Sequence, residues 1–122
     1  MLKDIDHVQL AIPVGGEDRA RDFYGRVLGL REIAKPENLR KRGGVWFSLG
    51  ARQFHLGADK NFTPAKKAHP AFLIEDVGAL ARVLEANGYK VVSDEPLAGY
   101  DRIYADDPFG NRLEFLKPIP HG

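Results

Sequence analysis

The sequence predicts an α+β fold made of two β-α-β-β-β modules, with the helices against one face of the sheet. Three observations carry this. Alternating apolar and polar residues mark a strand at the head of each half of the chain. A helical apolar stripe follows each of those strands. Each half then closes in strand segments set off by turn residues, so the second half repeats the order of the first.

The elements follow in order. IDHVQLAIP (residues 5–13) alternates, with Val8, Leu10 and Ile12 on one face and His7, Gln9 and Ala11 on the other. In GGEDRARDFYGRVLGL, the residues Ala20, Phe23, Tyr24, Val27 and Leu28 fall at helical spacing. Asp18 is the expected N-cap and Gly29 the expected stop. GVWFSLG and RQFHLG read as two short strands, with Gly50 and Ala51 at the turn between them. ADKNFTPAKKA links the halves. AHPAFLIEDV alternates again, with Phe72 and Ile74 opposite His69, Ala71 and Leu73. DVGALARVLEANG is helical through Val77, Leu80, Ala81 and Leu84, with Asp76 as N-cap and Gly88 as stop. DRIYADDPFGNRLEFLK is a hairpin that turns on Asp107, Pro108, Gly110 and Asn111. The expectation is one domain over residues 1–122, with modules at about residues 3–58 and 67–118.

Composition excludes several classes of function. With 43% hydrophobic and 29% charged residues, the chain reads as soluble and globular. A net charge of +1 argues against nucleic acid bound through bulk charge. No apolar run approaches the roughly 18–20 residues of a membrane span. MLKDIDHVQL lacks the apolar core of a signal peptide. No nucleic-acid or membrane partner is therefore expected. The absence of cysteine rules out a disulfide, a thiolate nucleophile and a zinc-thiolate site. It also suits a cytoplasmic location.

Strand parity singles out a set of polar residues. A sheet with helices on one side needs one apolar face. Val8, Leu10, Ile12, Val45, Phe47, Leu49, Phe54, Leu56, Phe72, Ile74, Ile103, Leu113 and Phe115 supply it. The opposite parity carries His7, Gln9, Trp46, Ser48, Gln53, His55, His69, Arg102, Tyr104, Arg112 and Glu114. Every non-terminal histidine lies on that second face. His7 corresponds to His69, and His55 to Glu114: 48 residues separate His7 from His55, and 45 separate His69 from Glu114. A merely solvated face would be polar but would not collect the histidines. Three imidazoles and a carboxylate, His7, His55, His69 and Glu114, suit a divalent metal: zinc, nickel, cobalt, manganese or ferrous iron. A metal there could polarise a substrate oxygen, and His55 or Glu114 could move a proton.

Other residues on this face allow two readings each. Arg102 and Tyr104 either bind a substrate carboxylate or phosphonate, or make a cross-strand pair with an acidic neighbour. Arg112, Gln9 and Trp46 either line a substrate cavity or serve as solvated, packing or interface residues. ENLRKRGG (residues 37–44) is either a solvated loop or a mobile cover that attracts an anionic substrate. His121, in the terminal PIPHG, is given no role.

On the pieces DHVQLAIP, RARDFYGRVLGL, FHLG, HPAFLIEDV and DPFGNRLEFLKP, the chain resembles the vicinal-oxygen-chelate superfamily of glyoxalases, bleomycin-resistance proteins and extradiol dioxygenases. The resemblance covers nearly the whole chain. It implies paired β-α-β-β-β modules in a cupped mixed sheet with helices outside, and a homodimer. It also implies a divalent metal at the positions of His7, His55, His69 and Glu114, and a small-molecule substrate. The position of His55 is often glutamate in glyoxalases, so this chain departs from their pattern. The implied function is a metal-dependent enzyme acting on a small oxygenated substrate, by isomerisation of the lactoylglutathione-lyase type or related chemistry. The alternatives are a fosfomycin-type thiol transferase, for which three ligands suffice, and a metal-free binding protein of the bleomycin-resistance type.

Overall fold

The structure, a computed structural model, describes residues 1–120, and in it the alternating opening segment forms strand β1, His7–Pro13. A helical segment follows, then β2 (Arg31–Ile33), a 3-10 turn at Glu37–Arg42, β3 (Val45–Leu49) and β4 (Arg52–Asp59). These make up the first of two units, Met1–Pro64. Its sheet has the order β1-β4-β3-β2. β1 runs parallel to β4, and the other pairs are antiparallel. A parallel pair cannot be joined by a tight turn, so the helix serves as the crossover. Gly50 and Ala51 form the two-residue turn between β3 and β4, and Gly50 takes a positive φ of 56° there.

The helical segment differs from expectation at its start and in its pitch. Gly16, not Asp18, is the N-cap of α1 (Glu17–Ala20). The reason lies in the turn before it: Gly15 has φ 85°, and the Gly16 amide closes on the Pro13 carbonyl at 3.0 Å, so the helix begins earlier. Asp18 then falls in the first turn and pairs with Arg21 at 2.9 Å. From Arg21 to Val27 the helix widens into a π-helix, where the Leu28 amide donates to Phe23 O at 2.9 Å. This wider turn carries two adjacent aromatics, Phe23 and Tyr24, that are both fully buried. Tyr24 packs on Phe54 and Phe47, with ring centroids 5.2 and 6.1 Å away. Leu10, Ile12, Val45 and Leu56 complete this core, as their parity requires. Val8 shares the parity but remains 39% exposed at the edge strand.

The second unit, Ala65–Gly122, contains β5 (Ala71–Leu73), α2 (Val77–Ala86), β6 (Tyr100–Asp106) and β7 (Arg112–Pro118). Its sheet order is β5-β7-β6, with β5 parallel to β7 and β6 antiparallel to it. The α+β class and the strand-helix-strand order hold in both units. The expected β-α-β-β-β series is complete only in the first. In the second, the strand after the helix is reduced to one bridge, Val92 to Tyr104. The segment after Val92 explains this: SDEPLAG places Pro96, which cannot donate to a ladder, beside Gly99 at φ 85°. Asp76 caps α2 as expected by accepting from the Ala79 amide at 2.9 Å. Gly88, at φ 86°, ends the helix. Val77 and Leu84 bury its stripe, and Ile103, Leu113 and Phe115 supply the facing sheet.

Two polar ties hold loops onto these sheets. In the β6–β7 turn, Asp107 Oδ1 accepts from the Phe109 and Asn111 amides, each at 2.9 Å. Asn111, 1% exposed, donates to Asp107 Oδ2 and accepts from the Ala65 amide at 2.9 Å. Replacing Asn111 by Ala strands those partners in a buried place. We expect Asn111→Ala to lower unfolding free energy by about 2 kcal/mol in urea titration.

In the first unit, Glu17 Oε2 accepts from the Gly44 amide at 3.0 Å. That bond holds the Glu17 carboxyl below its ordinary value, against a smaller upward push from burial. A depressed carboxyl contributes stability above its unfolded value, and the contribution is lost as pH falls through the folded value. Urea midpoints of wild type should therefore drop more steeply below about pH 4.5 than those of Glu17→Gln.

Candidate active site

Each unit places two of the four candidate metal ligands on its polar face, by the same register. In the first unit Gln9 pairs with His55, and His7 lies two residues upstream on β1. In the second Ala71 pairs with Glu114, and His69 lies two residues upstream of it. Residues two apart in a strand share a face, which puts His7 on the face of His55, and His69, just ahead of β5, reaches Glu114 directly.

In the first unit the imidazoles stack. The His7 and His55 ring centroids lie 4.3 Å apart at 21°. Trp46 covers the other side of His55, at 3.8 Å and 2°. His55 is 4% exposed. Its Nε2 lies 2.9 Å from Gln53 Oε1, which can only accept, so Nε2 carries the proton and Nδ1 keeps the lone pair. Burial first, then the neighbouring His7, hold this imidazole below its ordinary value and keep it neutral at neutral pH. His7 is half-exposed, and its Nδ1 meets Asp6 Oδ2 at 3.0 Å, leaving Nε2 for another partner. Lone pairs of stacked rings lie in nearly parallel planes. One cation bound by both rings therefore requires one ring to turn, and His7 is the ring with room.

In the second unit the pair converges directly. His69 Nε2 lies 2.8 Å from Glu114 Oε1, and His69 Nδ1 donates to the Lys67 carbonyl at 3.0 Å. The other Glu114 oxygen, Oε2, accepts from Arg102 Nη1 at 3.3 Å. Arg102 also donates to Tyr104 Oη at 2.9 Å and to the Glu95 carbonyl at 2.6 Å. Its Nε is buried and has no hydrogen-bond partner among the described residues. The acidic neighbour of Arg102 is thus Glu114 itself. Burial pushes the Glu114 carboxyl up, but the hydrogen bonds from His69, Arg102 and Tyr104 outweigh it and hold it below its ordinary value. Burial, then the Glu114 charge, push the Tyr104 phenol up. Arg112 lies over the Tyr104 ring, 4.1 Å from its centroid, and pairs with Asp94 at 3.2 Å.

The donor set fits a divalent metal chemically. Each histidine has one ring nitrogen engaged by a supporting group, the arrangement by which outer partners orient metal-binding imidazoles; the other nitrogen is left in His7 and His55 and meets Glu114 Oε1 in His69. Among the described residues, no three of His, Cys, Asp and Glu gather into a ligand cluster within either unit. Gln9 and Trp46 line a cavity in the first unit, and Tyr104 and Arg112 line one in the second. His121 lies outside the described residues. Of the supporting groups, Gln53 was placed on this face by parity without a role, and Asp6 and the Lys67 carbonyl were not identified by parity. Of the last two, only Asp6, a carboxylate next to a histidine, carried a sequence signal.

A family model, described as the glyoxalase/bleomycin resistance protein/dioxygenase superfamily, matches residues 4–115. The chain belongs to this superfamily. The chain is 28% identical over 117 residues to a protein named lactoylglutathione lyase from Haemophilus influenzae, covering 85% of this chain and 86% of that protein. A protein from Bacillus anthracis assigned to the glyoxalase family has a crystal structure with a TM-score of 0.93 and 46% identity, covering 98% of each chain. A mutant of the fosfomycin resistance protein FosX from Listeria monocytogenes, crystallised with Mn(II) and a dihydroxypropylphosphonic acid, has a TM-score of 0.80. It is 17% identical, over 98% of this chain and 95% of its own, so that likeness concerns the superfamily fold alone.

Removing Gln53 leaves the buried His55 Nε2–H without its acceptor. Gln53→Ala should cost about 1–3 kcal/mol of stability in the metal-stripped protein, read from urea titration.

Proposed function

We propose that this protein is a metal-dependent enzyme acting on a small oxygenated substrate by proton transfer between adjacent carbons, as in lactoylglutathione-lyase-type isomerisation. Superfamily membership supplies the frame, enzyme chemistry on small oxygenated substrates. The observation that carries the finer reading is the pair of matched half-sites: one register, repeated in each unit, puts a histidine on the face of His55 and another on the face of Glu114.

In this reading His7, His69 and Glu114 hold the metal. When bound, such an ion polarises a substrate oxygen and stabilises charge that develops on it. His55 carries the proton. Its ring is clamped between His7 and Trp46 and is neutral, and Nδ1 has the free lone pair. It takes a proton from the carbon next to a substrate oxygen and returns it to the neighbouring carbon. Arg102 fixes Glu114 through Oε2 and leaves Oε1 to the metal side. A homodimer in the cytoplasm is part of the same proposal, by analogy with the family.

A fosfomycin-type thiol transferase is the second reading. It is favoured by the Arg102–Tyr104 pair beside Glu114, a guanidinium and a hydroxyl suited to a phosphonate. Metal-dependent turnover of the glutathione hemithioacetal of methylglyoxal supports the first reading. Thiol-dependent consumption of fosfomycin supports the second.

The first experiment is divalent-metal affinity of the chelator-stripped protein. His69→Ala and Glu114→Ala should each weaken binding by more than the roughly 10–100-fold that loss of a supporting group costs. His55→Ala should retain affinity within a few-fold while losing turnover. If His55→Ala loses affinity as fully as Glu114→Ala, His55 is a ligand and not the proton carrier. If wild type binds no divalent metal, the enzyme reading fails and a metal-free binding protein replaces it.

A further inference from the structure

The 3-10 segment Glu37–Arg42 is not a free loop. Gly43 and Gly44 fold it back onto β4, with φ of 73° and 88°. A Cβ at Gly44 would fall on the Leu56 carbonyl oxygen, so only glycine allows this approach. The Glu17 carboxylate holds the Gly44 amide, and Lys35 Nζ donates to the Gly43 carbonyl. The result is a cavity of about 170 Å³ in the first unit, lined by Gln9, Lys35, Leu39, Arg42, Trp46 and Gly57 among others.

The chemistry of this lining points one way. Lys35 and Arg42 are its charged residues, and no carboxylate lines it. Glu17, the carboxylate nearest the two glycines, is occupied by the Gly44 amide. Lys35 has three donors and spends one on Gly43, so two remain. Among the described residues Arg42 makes no ion pair and Gln9 no hydrogen bond. Gln9 is held against Gly57, where a Cβ would stand 2.8 Å from Gln9 Nε2. The volume is below the roughly 300–1,000 Å³ of sites that enclose a whole small molecule. It suits one end of a molecule.

We infer that this cavity is a subsite for an oxyanion, a carboxylate or phosphoryl group at the end of the substrate remote from the reacting carbons. Arg42 and Lys35 hold the charge, and the Gln9 amide donates to it. Trp46 forms one wall and stacks on His55, so a group seated here is one ring away from the proton-carrying imidazole. The inference rests on the reading of the His55 face as the substrate face.

Trp46 is the single tryptophan of the chain, which makes the cavity its own optical probe. The test titrates the full, chelator-stripped chain with inorganic phosphate, and separately with acetate, at constant ionic strength, and follows tryptophan fluorescence. 1,2-Propanediol is the uncharged control. Saturable quenching or enhancement by an anion, absent with the diol, is expected. Phosphate acting more strongly than acetate assigns a phosphoryl group, and the reverse a carboxylate. Arg42→Gln and Lys35→Gln should each raise the apparent Kd about tenfold. Arg42 is exposed and unpaired, so its variant should keep the wild-type urea midpoint. A wild type without saturable response, or a double variant that responds like wild type, overturns the inference. Both variants should bind divalent metal as wild type does. A wild type that binds metal but gives no saturable anion response therefore sinks the subsite alone, and a wild type that binds the anion but no metal sinks the enzyme reading alone.

Discussion

A strand that lies parallel to the last strand of its own unit can be reached only by a crossover, and that pairing governs much else in this protein. In both units the crossover is the helix, which must lie on one face of the sheet and bury its apolar stripe there. One face is thereby committed to Phe47, Phe54 and Leu56 in the first unit and to Ile103, Leu113 and Phe115 in the second. The other face is left for polar chemistry. Since β1 pairs with β4 in the same register as β5 with β7, the histidine at the head of each unit is set two residues from the position opposite His55 or Glu114.

The two units solve different electrostatic problems on this common frame. His55 is buried without a charge partner, and that burial, with His7 beside it, keeps it neutral. Glu114 is buried as a carboxylate, which needs compensation. It receives that from His69 on one oxygen and Arg102 on the other. Arg102 in turn is anchored by the Glu95 carbonyl in the irregular stretch that replaces the expected strand. The loss of regular pairing near Val92 thus frees a backbone carbonyl to position a charged side chain.

Strand parity was the most legible part of the sequence. Alternation is a property of adjacent residues, and it assigned His7, Gln9, Trp46, His55, Tyr104 and Glu114 to one kind of face. Features set by backbone closure were not legible in this way. Gly16 displaces Asp18 as the cap because a turn closes early on Pro13. β2 is three residues long and half-buried at only one of them, too short to show a period. The π-helical stretch leaves the apolar stripe unchanged, so its altered pitch is silent in the sequence. Lys35 lies outside any strand and therefore has no parity; its place in the cavity depends on the fold of Gly43 and Gly44.

Those two glycines, with Gly57, also channel how the site can change. A side chain at Gly44 meets a carbonyl of β4, and one at Gly57 meets Gln9. Gly44 is closed to variation, whereas a side chain at Gly57 would displace the Gln9 amide. Positions 35, 39 and 42 project from a segment that those glycines fix in place, and none of them belongs to a buried core. Lys35 also holds the Gly43 carbonyl, so mutational libraries at positions 39 and 42 would vary the cavity wall at the least cost to folding. A scaffold of this kind can diversify its substrates one turn at a time, without disturbing the histidines.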